Sequence, residues 1–473
     1  RHAAPGPGRA GPVTGPRRIA IIGAGPSGLF AAQSLLSQDR LDVRVDIFDR
    51  LPTPFGLLRY GVAPDHASIK AIATALAHVF DSPHVRFLGL VELGRNLSVA
   101  DLTAAYDAVI YAAGASEDRR LHVPGEDLPG SRSAREFVAW YSGHPDAEPQ
   151  YFDGVHTAVT VGVGNVAIDV ARMLVKTADD LSATDMPVPV LAELATHQIT
   201  DVWVIGRRGP EHASFTTTEL RELLTTPGVA VSVEGCDLGA VDDAVLDRRT
   251  RANVAALAEA DGRSVPQPRA RLHFLFWHQP VRLVGEQRVE AVVLEGTEPA
   301  GPGRVRGTGA EVVIEAELVL RAIGYRGVPL PGVPFDEATG RIPNLAGRVC
   351  EPDGTIRPGE YAVGWIKRGP IGVIGTNKAD AAETVAALVD DLAASGSLDL
   401  VDPDEVLVSR GINWSSLADW QRIDSAEQSL GSSEGRHRTK IEAWHELLDL
   451  VRLGQPGGPP SLADEQLSIS DKE

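Results

Sequence analysis

An α/β fold with two parallel-sheet units, the second inserted into the first, is predicted from three observations. Two glycine turns, Gly23-Ala24-Gly25-Pro26-Ser27-Gly28 and Gly162-Val163-Gly164-Asn165-Val166-Ala167, each follow a short apolar strand and open a helix with apolar residues at helical spacing. Strand and helix patterns alternate around each turn, which builds a parallel sheet covered on its faces. A third strand, glycine-rich loop and helix, YAVGWIKRGPIGVIGTNKADAAETVAALVDDLAA, comes after the second unit. The expected class is two Rossmann-like, three-layer dinucleotide-binding domains, the first discontinuous.

Residues 1–16, RHAAPGPGRAGPVTGP, are rich in Pro, Gly and Ala without apolar period and read as a flexible tail or linker. They do not begin with Met, so a removed leader or an upstream module would both fit. From Arg17, RRIAIIGAGPSGLFAAQSLLSQ is a strand, turn and helix, VRVDIFDR is the next strand, and DAVIYAAGA is another. AVTVGVGNVAIDVARMLVK and DVWVIGRRG repeat the pattern around an insertion at 177–200, and LVLRAIGY reads as the return crossing. Residues 226–315 mix short strand patterns with Gly/Pro turns, as insertions in a nucleotide-binding domain do. The expected division is 17–117 with 331–394 for the first domain, 118–330 for the second, and 395–473 for a C-terminal extension with one helix near KIEAWHELLDLVRL.

Composition narrows the function classes. With 473 residues, 43% hydrophobic and 23% charged, the chain has room for two or three full cores. Forty-five basic residues against 64 acidic ones leave a formal charge of -19, which excludes a sequence-independent nucleic-acid binder. No run of about 18 apolar residues would span a membrane. The two cysteines, Cys236 and Cys350, form no CxxC, so no redox dithiol, zinc site or iron–sulfur cluster can be built from this chain's thiols. The abundance of arginine over lysine suits a GC-rich bacterial genome, and a bacterial cytoplasmic location is expected, with the mitochondrial matrix as the alternative.

In the first turn Gly23 permits the tight bend, Gly25 lets backbone approach a pyrophosphate, and Gly28 lets helix and strand pack closely. Asp49 ends the second strand 21 residues after Gly28, where a carboxylate can accept ribose hydroxyls. The second turn has Ala167 in place of the third glycine, an accepted small substitute. Its next strand ends in Arg207-Arg208 instead of an acid. Two guanidiniums there can clamp a 2′-phosphate, which favours NADP over NAD.

Between the turns lies PFGLLRYGVAPDH, Pro54 to His66, dense in glycine and proline and therefore a shaped loop. Taken in order, GAGPSG, PFGLLRYGVAPDH, GVGNVAIDVAR, GRRGP, FTTTELREL and GWIKRGPIGVIGTN resemble the adrenodoxin-reductase-like ferredoxin–NADP reductases, from about Arg17 to Ala394. The second and last of these motifs together are specific to that family among two-nucleotide flavoproteins.

The resemblance implies FAD in the first domain, NADPH in the second, and a ferredoxin-type iron–sulfur protein as the one-electron outlet. It implies FAD contacts at Ser27 and Asp49, Leu57 and Leu93 beside flavin and adenine, and Trp365, Gly372, Val373 and Ile374 near the isoalloxazine ring. For NADP it implies Val163, Gly164, Asn165 and Val166 at the pyrophosphate, Arg207, Arg208 and Glu219 at the 2′-phosphate ribose, and Gly372 at the nicotinamide. The helix after Gly372–Thr376 would turn its N-terminal amides toward the flavin. His66, matching the family's active-site histidine, joins Asp169 and Glu222 as the catalytic candidates. Electron-pair transfer from a nicotinamide needs no acid or base, so these groups are expected to orient the nicotinamide and tune a proton.

An acidic carrier calls for a basic face, for which Arg248, Arg249 and Arg251 are the first candidates and Lys367 and Arg368 the second. The expected activity is transfer from NADPH to FAD and then, one electron at a time, to a ferredoxin. Some relatives carry an N-terminal ferredoxin module, and PGPGRAGPVTGP resembles a linker to one. A disulfide reductase would need the missing CxxC, and a component like the glutamate-synthase small subunit would need cluster cysteines. A non-catalytic dinucleotide sensor or scaffold is the alternative from another class.

Overall fold

The computed structural model describes residues 15–241, 246–372, 374–396 and 398–452. Across the first sheet the strands run Asn344–Leu345, Arg348–Cys350, Ile356–Ala362, Ala108–Tyr111, Arg17–Ile22, Val43–Phe48 and Val85–Leu88. The last five are parallel, with Ile19 paired to Val45 on one side and Ala108 on the other. Their inner stretches, Ile19–Ile22 and Ala108–Tyr111 above all, are apolar throughout, as suits strands covered on both faces. One face is buried by the helices Pro26–Ser37 and Thr376–Ala394, through Ile19, Ile21, Leu35, Val385 and Leu388. The other is buried by Leu102, Ile366 and Leu407 against Ala20, Ile22 and Val109.

The second sheet is parallel throughout, in the order Ser131–Ser133, Leu318–Arg321, Thr157–Val161, Asp201–Gly206, Ala270–Phe276, Val229–Glu234. Helices cover one face through Ile168, Leu174, Leu220 and Leu257. An antiparallel meander, His278–Val284, Ala291–Pro299 and Val305–Glu315, covers the other, setting Leu283, Val292 and Leu294 on Val159, Ile205 and Val319. The third layer of this unit is thus a sheet, and it accounts for much of the turn-rich stretch between 226 and 315.

LVLRAIGY divides between two duties. Leu318–Arg321 is an inner strand of the second sheet, and the crossing itself is Tyr325–Arg326, paired antiparallel with Glu117–Asp118. The two connections between the units therefore run side by side. Among its described residues the C-terminal extension contains three helices, Pro403–Ser409, Leu417–Ser433 and Trp444–Arg452, where one was expected. Asp402 and Ser416 cap the first two by accepting from backbone amides. Their apolar residues are sparse because only one narrow stripe of each, including Leu407, Trp420, Ile423 and Leu447, enters the first unit's core.

Candidate functional site

The first turn is held by sterics and one carboxylate. Gly23 has φ of +116°, and a Cβ there would stand 2.5 Å from the Ala112 carbonyl oxygen. At Gly28 a Cβ would stand 2.0 Å from the Gly23 carbonyl, so only hydrogen lets the helix lie this close to its strand. Both Asp49 oxygens face backbone: Oδ2 accepts from Ala24 N at 2.9 Å and Oδ1 from Leu51 N at 3.0 Å. Burial pushes the Asp49 carboxyl up, against the downward pull of those two amides. Its direct work here is to hold the turn's shape, a role the spacing rule did not anticipate.

The Pro54–His66 loop lies on this turn. Phe55 N donates to the Ala24 carbonyl at 2.8 Å, and a Cβ on Gly56 would come within 2.9 Å of Gly25 Cα. Leu57 is 40% exposed and so faces the open side of the turn, whereas Leu93 is buried.

Among the described helices of eleven or more residues, three begin at glycines without a side-chain cap: Pro26–Ser37 at Gly25, Asn165–Val175 at Gly164 and Thr376–Ala394 at Gly375. Elsewhere Ser98, Ser133, Thr177, Asp247, Asp402 and Ser416 cap their own helices. A Cβ on Gly25 would meet only Gly56 Cα, at 3.9 Å, and one on Gly375 would meet nothing within 4 Å. Uncapped amides at the end of a helix dipole, beside space that a side chain would fill, fit the phosphates of a dinucleotide.

In the second unit, Asn165 Oδ1 accepts from Thr216 N at 2.8 Å and Ser214 N donates to the Val163 carbonyl at 2.9 Å, so the loop before helix Thr217–Leu224 is pinned to the glycine turn. Val166 is half-buried on the first turn of its helix. Arg207 is exposed and Arg208 half-buried at the end of strand Asp201–Gly206, and among the described residues neither guanidinium meets a carboxylate. Glu219 is buried, with Oε2 lacking a hydrogen-bond partner. Two unpaired guanidiniums beside an open glycine turn fit a 2′-phosphate.

The structure brings His66, Asp169 and Glu222 together. His66 Nε2 lies 3.0 Å from Asp169 Oδ1, and Nδ1 lies 3.1 Å from Glu222 Oε2. Sequence reasoning missed the group that organises them. Arg172, fully buried one turn after Asp169, reaches Asp169 Oδ1 at 2.9 Å, His66 Nε2 at 2.8 Å, and both oxygens of Asp65. The i,i+3 spacing of Asp169 and Arg172 was the available signal.

Nε2 therefore faces a donor and an acceptor at once. A neutral ring accepts there from Arg172 and donates from Nδ1 to Glu222, whereas an imidazolium donates to Asp169. Burial, the largest single influence, and the charge of Arg172 lower the His66 pKa, but the bond to Asp169 and the charges of Asp169 and Asp65 together outweigh them, and the net direction is up. Burial alone would raise the Asp65 carboxyl, but Arg172 and Lys176 hold it well below the usual carboxylate range.

The third loop closes on the first turn. Ser27 Oγ donates to Asn377 Oδ1 at 3.0 Å, and Arg368 Nη2 donates to the same oxygen at 2.8 Å. Trp365 is half-buried and stacked on Tyr325 of the crossing strand, ring centres 5.7 Å apart. Gly372 is exposed, Ile374 is half-buried, and Val373 lies outside the described residues. One expectation is corrected: Lys367 is not a surface group. Its ammonium is buried against Asp380 at 3.1 Å, Glu383 at 2.6 Å and Thr384 at 3.0 Å, so it staples helix Thr376–Ala394 to the loop. Arg368 is likewise turned inward, with Nη1 3.4 Å from Asp380. Arg248, Arg249 and Arg251 are exposed in the first turn of helix Arg248–Asp261.

Residues 21–88 match the model of the NAD(P)-binding Rossmann-like domain family. The chain is 43% identical over 460 residues to the NADPH-ferredoxin reductase FprA of Mycobacterium tuberculosis, covering 93% of this chain and 99% of that one. It is 38% identical over 463 residues to the mitochondrial NADPH:adrenodoxin oxidoreductase of Arabidopsis thaliana, covering 92% and 95%. The solved structure of Mycobacterium tuberculosis FprA in complex with NADPH superimposes with a TM-score of 0.87 at 42% identity, covering 93% of this chain and all of that one. With likeness of this extent to proteins so named, and both glycine turns built to receive dinucleotides, the chain belongs to the NADPH–ferredoxin reductase family that includes the adrenodoxin oxidoreductases.

Proposed function

We propose that this chain oxidises NADPH and passes the electrons, through bound FAD, to a ferredoxin-type iron–sulfur protein. What carries the reading is the pairing of two uncapped glycine turns with one seam between them, at which His66 meets Asp169 and Glu222. FAD, when bound, supplies the conversion of an electron pair into single electrons. Gly23, Gly25, Ser27 and Gly28 would hold it, with Asp49 fixing the turn, Leu57 and Leu93 beside its rings, and Trp365, Gly372 and Ile374 along the flavin edge. Val163, Gly164, Asn165 and Val166 would receive the NADPH pyrophosphate, and Arg207, Arg208 and Glu219 its phosphorylated ribose. His66 holds a proton between two carboxylates and orients the nicotinamide side of the seam.

The division into a first domain of 17–117 with 331–394, a second of 118–330 and an extension from 395 belongs to the same reading. Arg248, Arg249 and Arg251 stand at a helix N-terminus, where the dipole disfavours cations, so recognition of an acidic carrier explains them better than helix stability does. No described helix is long and apolar enough to cross a membrane, and the bacterial cytoplasm is the setting we infer.

Purified protein should show flavin absorbance that NADPH bleaches under anaerobic conditions, and it should then reduce ferredoxin. A colourless protein that cannot take up FAD would support the dinucleotide sensor instead. Arg249→Glu should slow ferredoxin reduction and weaken its salt dependence while leaving bleaching by NADPH alone; no change in either would remove the docking surface.

A further inference from the structure

The C-terminal extension carries Lys440, whose side chain is 2% exposed and whose ammonium ends between the two units. Nζ donates to the Arg59 carbonyl at 2.5 Å and the Ser142 carbonyl at 3.0 Å, and lies 3.4 Å from Asp185 Oδ2. Arg59 belongs to the turn Leu57–Tyr60, which follows Gly56 on the first glycine turn. Ser142 ends helix Ala134–Tyr141 of the second unit. The three acceptors match the three donors of an ammonium. The extension is itself anchored here: Glu427, fully buried, accepts from Arg59, from Arg438 at 2.8 Å and from Ile441 N at 3.0 Å.

We propose that Lys440 is a positioning residue for NADPH oxidation: it ties the turn carrying Leu57 to the second unit and so fixes the angle at which the two nucleotide sites face each other. The inference rests on the function proposed above. Displacement of reacting groups by about 1 Å can slow a reaction on the order of a hundredfold, so a strut remote from the chemistry can govern its rate.

The groups facing the ammonium are Asp185, Lys70 on helix Ala67–Ala77, Arg59 and Glu427, with the Tyr60 ring at 5.8 Å. Burial, Lys70 and Arg59 pull Lys440 down, Asp185 and Glu427 oppose them, and its pKa falls to about 7. As pH rises through that value a neutral amine keeps two donors for the two carbonyls but loses the ion pair with Asp185. The strut therefore loosens toward alkaline pH.

The test uses FAD-loaded wild type, Lys440→Met and Asp185→Asn between about pH 6 and pH 8.5. Two readouts are followed: hydrogen exchange at the Gly61 and Val62 amides, which bond to the Leu57 carbonyl, and bleaching by NADPH in stopped flow. Lys440→Met should retain FAD, lose protection at those amides after correction for intrinsic exchange, and slow bleaching about tenfold at pH 6. Its exchange profile should be flat where wild type declines. Asp185→Asn should move the wild-type midpoint to lower pH, since it removes the charge that favours the ammonium. A Lys440→Met enzyme matching wild type in both readouts, or a midpoint unmoved in Asp185→Asn, overturns the proposal. Should Lys440→Met fail to fold, the midpoint in Asp185→Asn decides. A wild type that NADPH does not bleach would instead sink the proposed function, and the exchange data would still judge the strut.

Discussion

His66 Nε2 lies 3.0 Å from Asp169 Oδ1, so a histidine of the first unit and a carboxylate of the second share a hydrogen bond across the seam between the nucleotide sites. The His66 pKa is raised despite burial, because Asp169 favours the imidazolium. With the folded value above the unfolded one, the stabilisation is full below about pH 6.5 and is lost as pH rises through the folded pKa. Asp169→Asn should therefore destabilise by about 1.5–3 kcal/mol at pH 6 and by less at pH 9, where only its bond to Arg172 is lost. Urea denaturation at the two pH values measures this; equal losses at both would disconnect His66 from Asp169.

Arg207 and Arg208 meet no carboxylate among the described residues, so a phosphate would enter without first breaking an ion pair. Replacing Arg208 by Ala should lower the preference for NADPH over NADH about tenfold to a hundredfold, the worth of one charge-assisted bond. The ratio of kcat/KM for the two nucleotides reports it. A ratio that stays put would move the 2′-phosphate elsewhere.

Both glycine turns and the place of the arginine pair after a strand were legible in the sequence because they are local features. A turn needs glycine at set offsets, and two adjacent arginines stand side by side whatever the fold does around them. Asp49 was found by spacing, yet its present bonds to Ala24 and Leu51 depend on how the turn folds back on the strand, which spacing does not encode. Arg172 and Asp65 escaped, and Lys367 was misread as a surface group, because each is defined by partners brought near by the fold, as in the link from Asp65 to Arg172. An arginine in an amphipathic helix reads as surface until something buries it. The extension was misread for a related reason: Trp420 and Ile423 are core residues only because the first unit offers them a face.

Gly28 tests whether the first turn must be this tight. A methyl there would stand 2.0 Å from the Gly23 carbonyl and 3.1 Å from Ile21 Cγ2; Ile21 lies in the sheet, and Gly23 is tied to it by its N–H bond to the Phe48 carbonyl at 2.8 Å. Gly28→Ala should push the helix off its strand, destabilise by about 1–3 kcal/mol, and cut the FAD content of purified protein. Full flavin occupancy with an unchanged melting temperature would mean that the turn has slack it does not display.

Glu427 is fully buried between Arg59 and Arg438, and Arg59 also stacks on Tyr60 and Trp420 at 4.9 and 5.0 Å. Burial would raise the Glu427 pKa, but the two guanidiniums and the Ile441 amide bring it below the usual value. Its stabilisation is thus complete above the unfolded pKa of about 4.3 and disappears as pH falls through the lower folded one. Glu427→Gln leaves two buried cations short of a counter-charge and should cost about 3–5 kcal/mol at pH 7. That loss should shrink in strong acid, where wild type also carries a neutral side chain. Because Arg59 sits in the turn that lies on Gly25, the variant should also release FAD faster, read as flavin fluorescence appearing on dilution. A variant with wild-type stability at pH 7 would show that the two arginines reach water without Glu427, and the extension would then have no electrostatic hold on the flavin turn.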